Sequence, residues 1–250
     1  MGDPVRINKY LSEAGLCSRR GADRLVAEGS ITINGKTAAN GDKVLPGDTV
    51  MYRGKLVSKE QEPVLLVVNK PVGIVCTAQK REPNNLVDFV HYPKRVYPVG
   101  RLDKDSHGLI LMTNQGDLVN KIMRGSNRHE KEYLVKVDRE VTAQFLKKMS
   151  KGVYLKELDR TTRPCRLEKA GKDTFRIILT QGMNRQIRRM CEAFQYRVVD
   201  LKRVRIMDIT LGDLKEGAYR EATQEEWDRL QEQLEGSSSA PVPSSKRQGR

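Results

Sequence analysis

Aromatic side chains are scarce: Phe, Trp and Tyr make up 5% of the chain, with a single Trp. That argues against a carbohydrate site, which draws on aromatic platforms for sugar rings. No apolar run approaches the ~20 residues of a membrane span. The N-terminus, MGDPVRINKYL, lacks the apolar core of a signal peptide, and Arg6 occupies the position where a myristoylation motif needs a small hydroxyl residue. The four cysteines, Cys17, Cys76, Cys165 and Cys191, lie far apart and form no CxxC pair. They suit reduced core residues of a cytoplasmic protein. The histidines are His91, His107 and His129, and no Cys/His/Asp cluster has zinc-ligand spacing, so no metal is expected.

Positive charge is abundant. Lys and Arg number 46 against 32 Asp and Glu, a formal net charge of +14 over 250 residues. Such a balance favours an extended polyanion as partner over a small neutral ligand. Hydrophobic residues reach 38%, enough for a real core in one large domain or two smaller ones.

Residues 5–55 read as a small separate module. Ile7, Tyr10, Leu11 and Ala14 fall at helical spacing, and Gly15 stops that helix. Ser18 caps a second helix with Ala22, Leu25 and Val26 on its apolar stripe. ITINGKTA alternates around Asn34-Gly35, a strong two-residue hairpin signal, and PGDTV supplies another turn and strand. Arg6, Lys9, Arg19, Arg20, Arg24 and Lys36 gather on this module and are candidate RNA contacts, although a solvated charged face explains them too.

Residues 56–63 are polar, end in Pro63 and suit a linker; 64–235 form a second domain; 236–250 lack an apolar pattern and suit a disordered basic tail. The second domain mixes strand-like VLLVVNK, EYLVKV, RPCRLEKA and TFRIILT with helix-like NNLVDFV, TAQFLKKM and NRQIRRMCEAF. Regular βαβ alternation is missing, so the expected class is α+β: a mainly antiparallel mixed sheet flanked by helices.

Within it, VGRLDKDSHGLILMT sets two basic residues and two carboxylates directly before an apolar strand. A charged, glycine-bounded segment ahead of a buried strand is how an active-site loop looks when a rigid sheet holds it. The Asp103 carboxylate, between Arg101 and Lys104, is suited to act as nucleophile or base. A turn aspartate paired with a neighbour explains the stretch equally well. In GMNRQIRRMCEAF, Ile187, Met190, Cys191 and Phe194 define one helix face. Arg185 and Arg189 point away from it, and Arg188 lies on its flank, where a half-buried guanidinium needs a partner such as Asp103. Tyr133, in HEKEYLVKV, either stacks on a base or fills the core.

Together GRLDKDSHGLILMTNQGDL, HEKEYLVKV and QGMNRQIRRM resemble the signature segments of the RsuA-type bacterial pseudouridine synthases. RINKYLSEAGLCSRRGADRLVAEGSITINGK resembles the small RNA-binding domain that precedes their catalytic domain, and NKPVGIVCT and REATQEEW fit as well. The resemblance spans roughly residues 5–230 and is strongest to the branch that modifies 23S rRNA. It implies that Asp103 is the catalytic aspartate, that Tyr133 packs on the target uracil, that Arg188 pairs with Asp103, and that Arg101 holds the loop and fills the space of the displaced base. Arg185 and Arg189 would bind substrate; many relatives carry histidine at the position of Arg185. The implied reaction joins uracil C5 to ribose in place of N1, with no atom or electron gained, so no cofactor is needed. The implied partner is RNA, 23S rRNA foremost and tRNA second, for a monomer acting in the cytoplasm. Two rivals stand beside this reading. One is a non-catalytic RNA-binding or ribosome-assembly factor. The other is a glycoside hydrolase using Asp103 and Asp105 as a carboxylate pair.

Overall fold

The computed structural model describes residues 3–58, 62–79 and 81–237. The chain divides into two compact units. One comprises Met1–Val64 with Pro93–Val96 and Asn114–Gly116; the other takes Leu65–Tyr92, Tyr97–Thr113 and Asp117–Arg250.

In the first unit, β1 (Val5–Arg6) runs into α1 (Ile7–Glu13), followed by α2 (Arg19–Ala27), β2 (Ile31–Ile33), β3 (Lys36–Thr37), β4 (Lys43–Val44), β5 (Val50–Tyr52) and β6 (Lys55–Leu56). The chain leaves α1 through Gly15 at φ +77°. Ser18 caps α2, its hydroxyl accepting from the Gly21 N–H at 3.1 Å. Asn34 and Gly35 both take positive φ in the β2–β3 turn, as a type I′ hairpin requires. Ile7, Leu11, Ala22, Val26, Ile31, Val44 and Val50 form the core. Leu56, expected in the linker, pairs with Met51 through β6, and Val57 joins that core. Of the expected basic tail, residues 238–250 lie outside the described residues.

The second unit contains β7 (Leu65–Lys70), α3 (Leu86–Val90), β8 (Tyr97–Val99), β9 (His107–Thr113), α4 (Gly116–Met123), β10 (Lys131–Val137), α5 (Ala143–Met149), β11 (Tyr154–Leu155), β12 (Arg160–Thr161), β13 (Arg166–Lys169), β14 (Thr174–Leu179), α6 (Gln186–Glu192), β15 (Val198–Ile206), β16 (Ile209–Thr210), β17 (Tyr219–Glu221) and α7 (Gln224–Leu234). Its main sheet runs β13-β14-β10-β15-β9-β7-β17, with β8 on β9 and β16 on β15. Neighbours are antiparallel except β15 and β9. The fold is α+β with a mainly antiparallel sheet.

Helices cover the sheet in two places. Phe145 and Met149 of α5 and Ile187, Met190 and Cys191 of α6 pack on Val135, Val137, Phe175 and Ile177. Leu118 and Ile122 of α4 and Leu230 and Leu234 of α7 pack on Leu65, Val67, Leu109 and Leu111. All six residues of β7 are buried, which accounts for the unbroken apolar stretch Leu65–Val68 at its start. Sequence reading missed α4 and α7, although Thr223 and Glu226 close a capping box at the start of α7.

Two local features fix the register around the site. Gly108, at φ +99°, lets β9 run against β15: a Cβ there would stand 2.3 Å from the Arg203 carbonyl oxygen. Glu132 is clamped across three strands, accepting from Arg205 Nε at 2.7 Å and Arg176 Nη1 at 2.8 Å. Burial alone would raise its carboxyl pKa, but these hydrogen bonds outweigh burial and hold it below the usual value.

Gly108→Ala is expected to lose at least ~2 kcal/mol in urea unfolding, since strain and a backbone clash combine. Glu132→Gln is expected to lose about 2 kcal/mol at pH 7, by breaking charge-assisted hydrogen bonds. A depressed folded-state pKa gives stability that is present above the unfolded value and lost as pH falls through the folded one. The gap between wild type and Glu132→Gln should therefore close as pH drops below about 4.5; a pH-independent gap would refute the clamp.

Candidate active site

The hairpin connection between β8 and β9 carries Arg101 to Asp105. Backbone contacts hold it in place. The Leu102 N–H donates to Cys76 Sγ at 3.3 Å, the Gly73 N–H to the Lys104 carbonyl at 2.8 Å, and the Ser106 N–H to the Asp103 carbonyl at 3.1 Å. Lys70, wholly buried at the end of β7, donates to the Pro71 and Ile74 carbonyls, each at 2.8 Å. It ties down the segment that in turn ties down the loop. Burial pulls the Lys70 ammonium below its usual pKa and pushes the Cys76 thiol up.

Beside the loop lies a cavity of about 400 Å³, large enough for a nucleoside. Arg101 and Asp103 line it from the loop, Tyr133 and Lys131 from β10, Arg203 from β15, and Gln181 and Arg185 from the segment before α6. The Asp103 side chain is about one-third exposed. Tyr133 pairs with Ile177 on one side and Arg203 on the other, and alternation brings Lys131 to the same face. Its ring faces the Arg203 guanidinium, 6.0 Å from the ring centroid. The Tyr133 hydroxyl makes no hydrogen bond among the described residues, unlike that of Tyr10, which donates to the Val57 carbonyl.

One expectation needs correction. Arg188 was expected to pair with Asp103. Its Nη2 instead donates to the Asp105 carbonyl at 2.9 Å and to Ser106 Oγ at 3.3 Å, with the Asp105 carboxylate at 3.4 Å. The physical reason is its burial: on the flank of α6 the guanidinium reaches the loop's C-terminal end. Arg185, the residue before α6, takes the exposed position, 4.0 Å from the Asp103 carboxylate and 3.3 Å from that of Asp105. Arg189, expected to bind substrate, does not line this cavity. It is held by Asn184 and Glu157 beside a separate shallow depression. His107, read as a loop residue, opens β9, with its ring nitrogens on Asp200 and Glu216. In the first unit, Arg6, Arg19, Arg20, Arg24 and Lys36 are exposed, while Lys9 is half-buried and ion-paired with Glu13.

Sequence reading missed Lys131, Arg203 and Gln181. Lys131 was detectable, two residues from Tyr133 on one strand. Arg203 and Gln181 were not, because they arrive through the pairing of distant segments.

Residues 64–193 match the RNA pseudouridylate synthase model and residues 5–50 the S4 domain model. The chain belongs to the RNA pseudouridylate synthase family. The synthase is 51% identical over 244 residues to the dual-specificity RNA pseudouridine synthase RluF of Salmonella typhi, covering 97% of this chain and 84% of the relative. It is 35% identical over 232 residues to the ribosomal large subunit pseudouridine synthase B of Bacillus subtilis, covering 90% of this chain and 95% of the relative. A crystal structure of a pseudouridylate synthase, 28% identical, superposes with a TM-score of 0.67 over 90% of the synthase and 99% of its own chain. The synthase is an isomerase that converts uridine to pseudouridine in RNA. No helix among its described residues is long and apolar enough to cross a membrane.

Arg185→Ala is expected to lower the synthase's kcat/KM on RNA by roughly tenfold or more, the loss of one charge-assisted contact. Arg189→Ala should stay within about twofold of wild type, the behaviour of a side chain outside the site. Equal losses in the two would reverse their assignment.

Proposed function

We propose that the synthase isomerises a uridine in 23S rRNA and a second one in tRNA, drawing the flipped-out base in between Asp103 and Tyr133. The observation that carries this reading is the convergence of a carboxylate and an aromatic ring on one nucleoside-sized cavity, with Arg101 at the same wall. The names of the relatives support the substrates: one type acts on the large ribosomal subunit, another has dual specificity.

The target bond is out of reach in a stacked helix, so the uridine leaves the stack at a cost of a few kcal/mol. Exposed basic residues, Arg6, Arg19, Arg20, Arg24 and Lys36 in the first unit, offset that cost through phosphate contacts. Lys9, tied to Glu13, contributes less. Arg101 enters the space that the base vacates. Tyr133 stacks on the uracil, and the Asp103 carboxylate meets the ribose–uracil junction. The N1–C1′ bond breaks, the C5–C1′ bond forms, C5 loses its proton and N1 gains one. Atoms and electrons balance without a cofactor. Arg185 positions Asp103, and Arg188 anchors the loop through Asp105 and Ser106. Ribosomal and transfer RNA as substrates support action in the cytoplasm, and the proposal takes the enzyme to act as a monomer.

The test is tritium release from C5-labelled 23S rRNA and, separately, tRNA, both from cells lacking the enzyme. Wild type should release tritium from both, and Asp103→Asn from neither. Release from rRNA alone would remove tRNA from the proposal. Release by Asp103→Asn at the wild-type rate would remove Asp103 from the reaction.

A further inference from the structure

Lys131 and Arg203 are buried cations, 4% and 1% exposed, on the wall of the cavity. Neither has a carboxylate partner among the described residues. Lys131 donates to the His129 carbonyl at 3.0 Å and Arg203 Nε to the Leu109 carbonyl at 2.6 Å. Arg203 Nη2 and the nearby Gln181 Nε2 are buried with no hydrogen-bond partner among the described residues. Burying a charge without a counter-ion is expensive, and here two are buried side by side. Burial and then the Arg203 charge push the Lys131 ammonium down to about 8. No carboxylate among the described residues pairs with either cation; an anion arriving in the cavity would.

The reaction makes such an anion. When N1–C1′ breaks, the electron pair stays on the uracil, spread over N1, O2 and O4. The ring keeps that charge until C5 bonds to ribose; loss of the C5 proton then returns a negative charge to the ring, which ends when N1 is protonated. We propose that Lys131 and Arg203 form a cationic floor that stabilises the uracil as an anion during its detachment from ribose. This inference rests on the flipped uracil occupying the cavity between Asp103 and Tyr133. Lys131 would be a catalytic residue, donating to a uracil oxygen. Arg203 would be a positioning residue, acting through the Tyr133 ring that it faces and through its field. A preorganised cation in a water-poor site acts more strongly on developing charge than one in solvent.

The titratable and charged groups around Lys131 are Arg203 on β15, Asp103 on the loop, and Tyr133 and His129 on or just before its own strand; β14 presents Leu179. A lysine with a lowered folded-state pKa carries its full burial cost below about 8, and stability from this group rises as pH climbs from there toward 10.5. Removing the charge should therefore stabilise the fold at pH 7 while damaging the reaction, an outcome that a structural role does not produce.

The experiment compares Lys131→Met, Lys131→Arg, Asp103→Asn and wild type in single-turnover tritium release at saturating rRNA, with RNA affinity and melting temperature measured on each. Lys131→Met should lose at least ~100-fold in rate, the scale of losing one preorganised donor, with affinity unchanged and melting temperature at or above wild type at pH 7. Lys131→Arg should recover most of that rate. A wild-type rate in Lys131→Met, a loss confined to affinity, or equal failure of Met and Arg would overturn the cationic floor. Should Lys131→Met fail to fold, the pH profile decides. Wild-type kcat/KM, which reports the free enzyme, should fall above about pH 8; a flat profile to pH 9.5 overturns the proposal. An inert Asp103→Asn beside a fully active Lys131→Met sinks the floor alone, whereas an active Asp103→Asn sinks the site reading beneath it.

Discussion

The close parallel approach of β9 to β15 at Gly108 is the constraint on which the site depends. Gly108 pairs with Arg203, and the missing side chain is what allows the two backbones to meet. From this point the loop bearing Asp103 leads back toward β8, while Arg203 pairs on its other side with Tyr133. One glycine therefore places the proposed carboxylate, ring and cation around one cavity. A parallel pair inside an otherwise antiparallel sheet needs distant chain segments side by side. Here those segments are 107–113 and 198–206, and the helices and strands between them supply the cavity's remaining walls.

Around that seam the charges are sorted by depth. Lys70, Lys131 and Arg203 are buried and donate to carbonyl oxygens, whereas Arg101 and Arg185 are exposed at the cavity's edge. Asp105, which the sequence offers as half of a carboxylate pair, is occupied by Arg185 and Arg188. That leaves Asp103 as the less encumbered carboxylate, reached by Arg185 only at 4.0 Å. The RLDKD run of alternating charges is thus a division of labour: Asp105 closes the loop against α6, and Asp103 faces the cavity.

Local signals in the sequence carried far. Ser18, Asn34-Gly35 and the alternation of EYLVKV specify a cap, a turn and a strand by chemistry confined to a few neighbouring residues, and each has the structure its residues imply. The segments proposed to form the site stood out for the same reason. Asp103 and Tyr133 sit in motifs with distinctive spacing, and both line one cavity. What depended on tertiary pairing was less legible. Helical periodicity set Arg188 on a flank but could not say which end of the loop that flank meets, so Asp105 and Ser106 took the place of Asp103. Arg203 lies in a long alternating strand whose many basic residues look alike until register selects one for burial. Gln181 has no periodicity to report it.

The two classes of positive charge act in different media. In the proposed function, exposed arginines and lysines of the first unit attract phosphates across water, where salt screens them within about a Debye length of 10 Å. Their contribution is affinity, it is shared among several residues, and ionic strength tunes it. Buried cations beside the cavity see little screening and cannot relax toward solvent, so they act on charge that appears only inside it. An RNA enzyme needs both, because a flipped base must first be held by its backbone and only then be changed. Net charge alone, which first pointed to a polyanion partner, describes the first class. The second is set by which few of the basic residues the fold removes from water.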